Sequence, residues 1–112
     1  MRMIVISSLS QARQMIKETR ESCLLIADPD LVGMLGVGYF VEITRQLQND
    51  SQHLDLLLAI PCHHFPSLVF AALEHTLAGI FFDDDHPLWP KIVSIIEQRG
   101  MFVKPMRELI PR

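Results

Sequence analysis

The sequence predicts an α/β protein built on a five-stranded parallel sheet. The predicted arrangement is a three-layer α/β/α sandwich with flavodoxin-like strand order 2-1-3-4-5. Three observations carry this reading. Short apolar runs alternate with amphipathic stretches of helical period. The runs are almost wholly apolar rather than alternating, as strands buried on both faces are. Each run exits into a cluster of Pro, Asp, Ser or His. Strands separated by helices cannot pair as tight hairpins, so they pair in parallel through right-handed crossovers. A (βα)4 half-barrel is the alternative. It would leave both sheet edges open and would need a second copy to close them.

The elements follow in order. Met3-Ile4-Val5-Ile6 is a β-branched run and the first strand. Ser7, Ser8 and Ser10 offer helix caps, and Leu9, Ala12, Met15, Ile16 and Thr19 then fall on one helical face. Cys23–Ala27 is the second strand, ended by Asp28-Pro29-Asp30. A glycine-containing stretch, Gly33-x-x-Gly36-x-Gly38, precedes a helix over about Tyr39–Gln48 with Phe40, Ile43 and Leu47 on its buried face. Leu54–Ile60 is the third strand, and Pro61-Cys62-His63-His64-Phe65-Pro66 is its exit. A helix over about Ser67–Thr76 leads to the fourth strand, Gly79–Phe82, which Asp83-Asp84-Asp85-His86 stops. Pro87 and Pro90 fit a first helical turn, where a missing amide costs little. Leu88, Ile92, Ile95 and Ile96 form that helix's apolar face, and Gly100 ends it. Met101–Val103 is the fifth strand, closed by Lys104-Pro105, and Met106–Arg112 is a C-terminal tail. Residues 1–112 read as one domain.

Composition narrows the function classes. The chain has 112 residues, 49% apolar and 21% charged, which is too apolar for disorder. Ten basic against thirteen acidic residues give a net charge of −3. That balance lacks the basic surplus that nucleic-acid backbones require. No apolar stretch reaches the ~18 residues of a membrane span, and Met1–Ser10 is too weakly apolar for a signal-peptide core. Two cysteines do not make a disulfide framework in a chain able to bury a core. The expectation is a cytoplasmic protein. The high apolar content in so short a chain also predicts a homodimer that buries one further apolar face.

Parallel strands deliver all their carboxyl ends to one edge, where α/β proteins bind ligands. The candidate rim comprises Asp28, Asp30, Cys62, His63, His64, Asp83, Asp84, Asp85, His86 and Lys104. Carboxylates and imidazoles there suit a divalent cation, so Asp28, Asp30, Asp83, Asp85, His64 and His86 are the candidate metal ligands. Their spacing matches no zinc-finger or zincin pattern. Cys62 beside two histidines has the residue types of a thiol nucleophile with its base, although adjacent residues rarely reach that geometry. The glycine stretch lacks both the order of a dinucleotide fingerprint and the Lys-Ser/Thr of a P-loop.

Lys104-Pro105 after the last strand resembles the Lys-Pro that ends the fifth strand of response-regulator receiver domains. The resemblance implies the flavodoxin-like plan. It carries no phosphorylation chemistry, because Ser7-Ser8 and Pro61-Cys62 stand where receivers place their acidic pair and phosphoacceptor. The segment Ala71–Phe82 resembles helix–turn–strand units of aldolase-type barrels, a pattern common to most βα proteins.

Two functional readings follow. The first is a non-catalytic module that self-associates and binds a protein partner or small ligand at the strand-exit rim. The second is a small divalent-metal-dependent lyase or hydrolase using the rim carboxylates and imidazoles. The sequence names no cofactor.

Overall fold

The computed structural model describes residues 1–109. Five strands form one sheet: β1 (Arg2–Ile6), β2 (Cys23–Ala27), β3 (Leu56–Pro61), β4 (Gly79–Phe82) and β5 (Phe102–Pro105). Five helices join them: α1 (Leu9–Lys17), the one-turn α2 (Val32–Leu35), α3 (Val37–Asp50), α4 (Pro66–Ala72) and α5 (Trp89–Gln98). A 3-10 turn, Met106–Glu108, follows β5. The tail read from sequence is therefore part turn, and its last three residues lie outside the described region.

All neighbouring strands are parallel, and their order is β1-β2-β3-β4-β5. This corrects the expected order 2-1-3-4-5, and with it the plan that the receiver-like Lys104-Pro105 implied. A flavodoxin-like sheet reverses its winding after the first unit and so takes helices on both faces. Here successive crossovers proceed in one direction, which leaves the helices on one face. The consecutive order is the one a half-barrel of βα units has.

Burial follows this division. Ile4, Ile6, Leu25, Leu58, Ile80 and Phe82 point to the helical side and pack with Ala12, Ile16, Phe40, Ile43, Leu47, Val69, Ile92 and Ile96. The helix-free face carries the alternate residues. Ile26, Ala59 and Phe81 are buried there, covered by Met106 and Leu109 from the 3-10 turn. The expected three-layer sandwich is thus two layers, with a short C-terminal strap in place of the third. Toward the amino ends, and along the β1 edge, the open face stays apolar and uncovered. Met3 is 55% exposed, Val5 44% and Leu57 44%.

Both edges of the sheet are blunted. Asp28 N–H donates to the Ile6 carbonyl at 2.9 Å, so Ile6 faces β2 and the backbone groups of Val5 and Ser7 face outward. The Gln11 carboxamide meets both of these. Its Nε2 donates to the Val5 carbonyl, and its Oε1 accepts from Ser7 N–H, each at 3.0 Å. One side chain thus imitates a neighbouring strand. On the other edge, Phe102 N–H donates to Ala78 at 3.1 Å, so Val103 and Pro105 face outward, and Pro105 has no N–H to offer.

The glycine stretch differs from its sequence reading. Gly33 sits in α2 and Gly38 in the first turn of α3. Only Gly36 between them needs its freedom, at φ 86°. No helix among the described residues is long and apolar enough to cross a membrane.

Gly79 is required by a close approach. A Cβ there would meet the Phe102 ring and stand 2.5 Å from its carbonyl oxygen on β5. Gly79→Ala is therefore expected to cost about 1–3 kcal/mol, as overpacking against backbone does. Gly33→Ala, whose Cβ meets nothing within 4 Å, should not lower stability. Urea unfolding of the two variants checks the contrast.

Candidate functional site

The carboxyl ends of all five strands lie along one edge, because every strand pair is parallel. The exits of β2, β3 and β4 are tied together by His63. Its Nε2 lies 2.7 Å from the Pro29 carbonyl, which only accepts, so that nitrogen carries the proton. Its own carbonyl accepts from Asp83 N–H at 2.8 Å. To do both, His63 adopts φ 54°, the left-handed region in which a β-carbon is strained. Cys62 N–H donates to the Phe81 carbonyl at 2.7 Å and continues the β3–β4 ladder beyond Pro61.

A cleft of about 260 Å³ opens beside this knot. His63, His64, Asp83, Met106 and Arg107 line it. Three of these belong to the rim read from sequence. Met106 and Arg107 do not; they arrive with the 3-10 turn that straps the open face. Arg107 pairs with Asp84 at 3.1 Å, and the guanidinium is well exposed. The available signal was a basic residue just past Lys104-Pro105, on the rim side of the last strand. The His64 ring stacks at a tilt on Phe65, with centroids 4.2 Å apart.

The remaining candidates serve local structure. Asp28 Oδ1 accepts from Asp30 N–H at 2.9 Å, closing the turn after β2. Asp83 Oδ1 accepts from Asp85 N–H at 3.4 Å. His86 Nδ1 accepts from Leu88 N–H at 3.0 Å ahead of α5, and its ring lies 5.1 Å from that of Phe82. Lys104 extends its ammonium over the Phe102 ring, 5.6 Å from the centroid, and does not line the cleft. Among the described residues, no three of the histidines, cysteines and acids stand together as a metal would require. The candidate ligands Asp28, Asp30, Asp83, Asp85, His64 and His86 are therefore not gathered into one coordination sphere.

Cys62 is fully buried, and burial pushes its thiol up to about 12. A nucleophilic thiol needs the opposite shift and an open approach. Cys62 is a core residue of the β3 exit. The larger cleft, about 330 Å³, lies at the carboxyl ends of α1 and α3. It is bridged by the exposed Arg13–Asp50 pair at 3.1 Å, and none of the rim residues lines it.

No family model matches the chain, and neither the curated proteins nor the solved structures provided a match. The functional reading therefore stands on the geometry.

Two outcomes follow from the rim. His63→Ala removes the bond to Pro29 and keeps the left-handed strain, whereas His63→Gly removes the bond and relieves the strain. The glycine variant should be the more stable of the two by about 1 kcal/mol in thermal or urea unfolding. Cys62 should resist iodoacetamide in the native protein at pH 8 and react after unfolding. Its proton is held more tightly in the fold than the usual value of 9.0 allows. Native stability should therefore be intact below pH 9 and fall as pH rises from there toward 12, and Cys62→Ala should flatten that fall.

Proposed function

We propose that this protein is a non-catalytic binding module that self-associates through the open face of its sheet and takes a partner or small ligand at the strand-exit rim. The carrying observation is the open face itself. Met3 and Val5 on β1 and Leu57 on β3 are apolar, exposed and on the same side of the sheet, and half-buried Leu24 on β2 sits between them. A contiguous apolar patch of this kind marks an interaction surface. The occupant is a second copy meeting it face to face. Pairing through the edges is disfavoured, since Gln11 takes the outward Val5 carbonyl and Ser7 N–H at the end of β1 and Pro105 removes a donor from β5. A closed ring from two such sheets would also hold ten strands rather than the eight of a (βα)8 barrel.

The rim supports the ligand-binding half of the reading. Its backbone is fixed by His63, and its cleft gathers donors and acceptors on a pre-formed wall. The burial of the Cys62 thiol removes the rim's one strong nucleophile from the surface and supports binding over covalent catalysis. Both cysteines are free and buried, which supports a reducing, cytoplasmic setting.

Sedimentation velocity tests self-association. The sedimentation coefficient of the wild type should rise with concentration from monomer toward dimer. Leu57→Glu and Met3→Glu should each hold the protein monomeric at concentrations where the wild type pairs. A wild type that stays monomeric at high concentration, or variants that pair as well as it does, would remove the proposal.

A further inference from the structure

The rim cleft presents groups of both charge signs within one small volume. Resting on the ligand-binding half of the reading above, we infer that its ligand is a small zwitterion, an α-amino acid or a molecule with the same paired ammonium and carboxylate.

The free hydrogen-bonding capacity of the lining makes the case. Arg107 engages Asp84 through one terminal nitrogen and keeps its remaining donors facing solvent. The pair is exposed, so water screens it and the guanidinium is able to re-orient toward a ligand. Asp83 commits Oδ1 to Asp85, while Oδ2 has no hydrogen-bond partner among the described residues. His63 spends its Nε2 proton on Pro29, and its Nδ1 makes no hydrogen bond among the described residues. His64 is exposed and its ring makes no hydrogen bond among the described residues. Met106 supplies an apolar patch to the same wall.

Charge then excludes the simpler ligands. An inorganic anion such as phosphate would meet Arg107 but also the carboxylates of Asp83 and Asp84. A divalent cation would meet Arg107 and would find no group of three ligands among the described residues. A zwitterion satisfies both signs. Its carboxylate accepts from the Arg107 fork, its ammonium donates to Asp83 Oδ2 and His63 Nδ1, and an aliphatic side chain lies toward Met106. A cleft of about 260 Å³ is close to the lower end of small-molecule pockets, and leucine, with one aliphatic side chain for Met106, is a probe of that class.

The test is an amide-resolved NMR titration of the isotope-labelled protein at neutral pH. The four probes are L-leucine, isoamylamine, 4-methylpentanoate and inorganic phosphate. L-leucine should shift the amides of His63, His64, Asp83 and Arg107 with a midpoint in the millimolar range. Isoamylamine and 4-methylpentanoate, which each keep one charged group, should bind at least tenfold more weakly. Asp83→Asn and Arg107→Gln should each weaken the L-leucine response tenfold or more, with unshifted core amides showing that the fold is kept. Equal binding of leucine and either half-ligand, or full binding by either variant, would overturn the inference. If leucine fails and phosphate or a half-ligand shifts the same amides, the rim binds a ligand of other chemistry and only this inference falls. If none of the four shifts them, the ligand-binding reading of the rim falls with it.

Discussion

A right-handed βαβ crossover lays its helix on one side of the sheet, and repeating it without reversal commits the helices to that side. This constraint governs the molecule. Strands that are apolar on both faces then have a helical cover on one face only. The helical face is buried in the ordinary way, around Phe40, Ile60 and Phe82. The other face must find its cover elsewhere. The chain supplies part of it by folding Met106 and Leu109 back over Ile26, Ala59 and Phe81. What the strap does not reach remains apolar and open.

The same constraint explains the attention given to the edges. An open parallel sheet exposes two rows of backbone groups, and a sheet with one bare apolar face invites uncontrolled stacking through them. Gln11 and Pro105 act against this in different ways. Gln11 satisfies a donor and an acceptor of β1 with its own amide, and Pro105 removes a donor from β5. Strand pairing between copies is thereby disfavoured at both edges.

The strap also links the sheet's bare face to its rim. Met106 packs over the sheet while Arg107, the next residue, reaches Asp84 and lines the cleft with His63, His64 and Asp83. His63 is the fixed part of the lining. It holds three strand exits in register at the cost of a left-handed backbone. Part of the lining is thus fixed by hydrogen bonding, and the part from the strap is held by an exposed ion pair and a modest apolar contact.

Much of this was legible in the residues alone. Gly79–Phe82 reads as a strand and is one, and the parallel pairing follows from the helical spacers between strands. The rim residues gather at one edge because parallel strands leave no other arrangement. The helix predicted over Ser67–Thr76 ends earlier, at Ala72, since its periodicity continues into a turn that hydrogen-bonds within itself. Arg107 was not seen, because its partner Asp84 is distant in sequence and only the strap brings them together. The strand order was beyond local reading for a physical reason. Both candidate orders use right-handed crossovers and apolar strands, and they differ in which of β1 and β2 lies beside β3 and in which face of the sheet receives α1. Met3, Val5, Leu24 and Leu57 are apolar whether a helix covers them or not, so periodicity is silent on the choice. Packing decides it, by which helical stripe buries against which side of β1 and β2, and that sum is taken over contacts far apart along the chain.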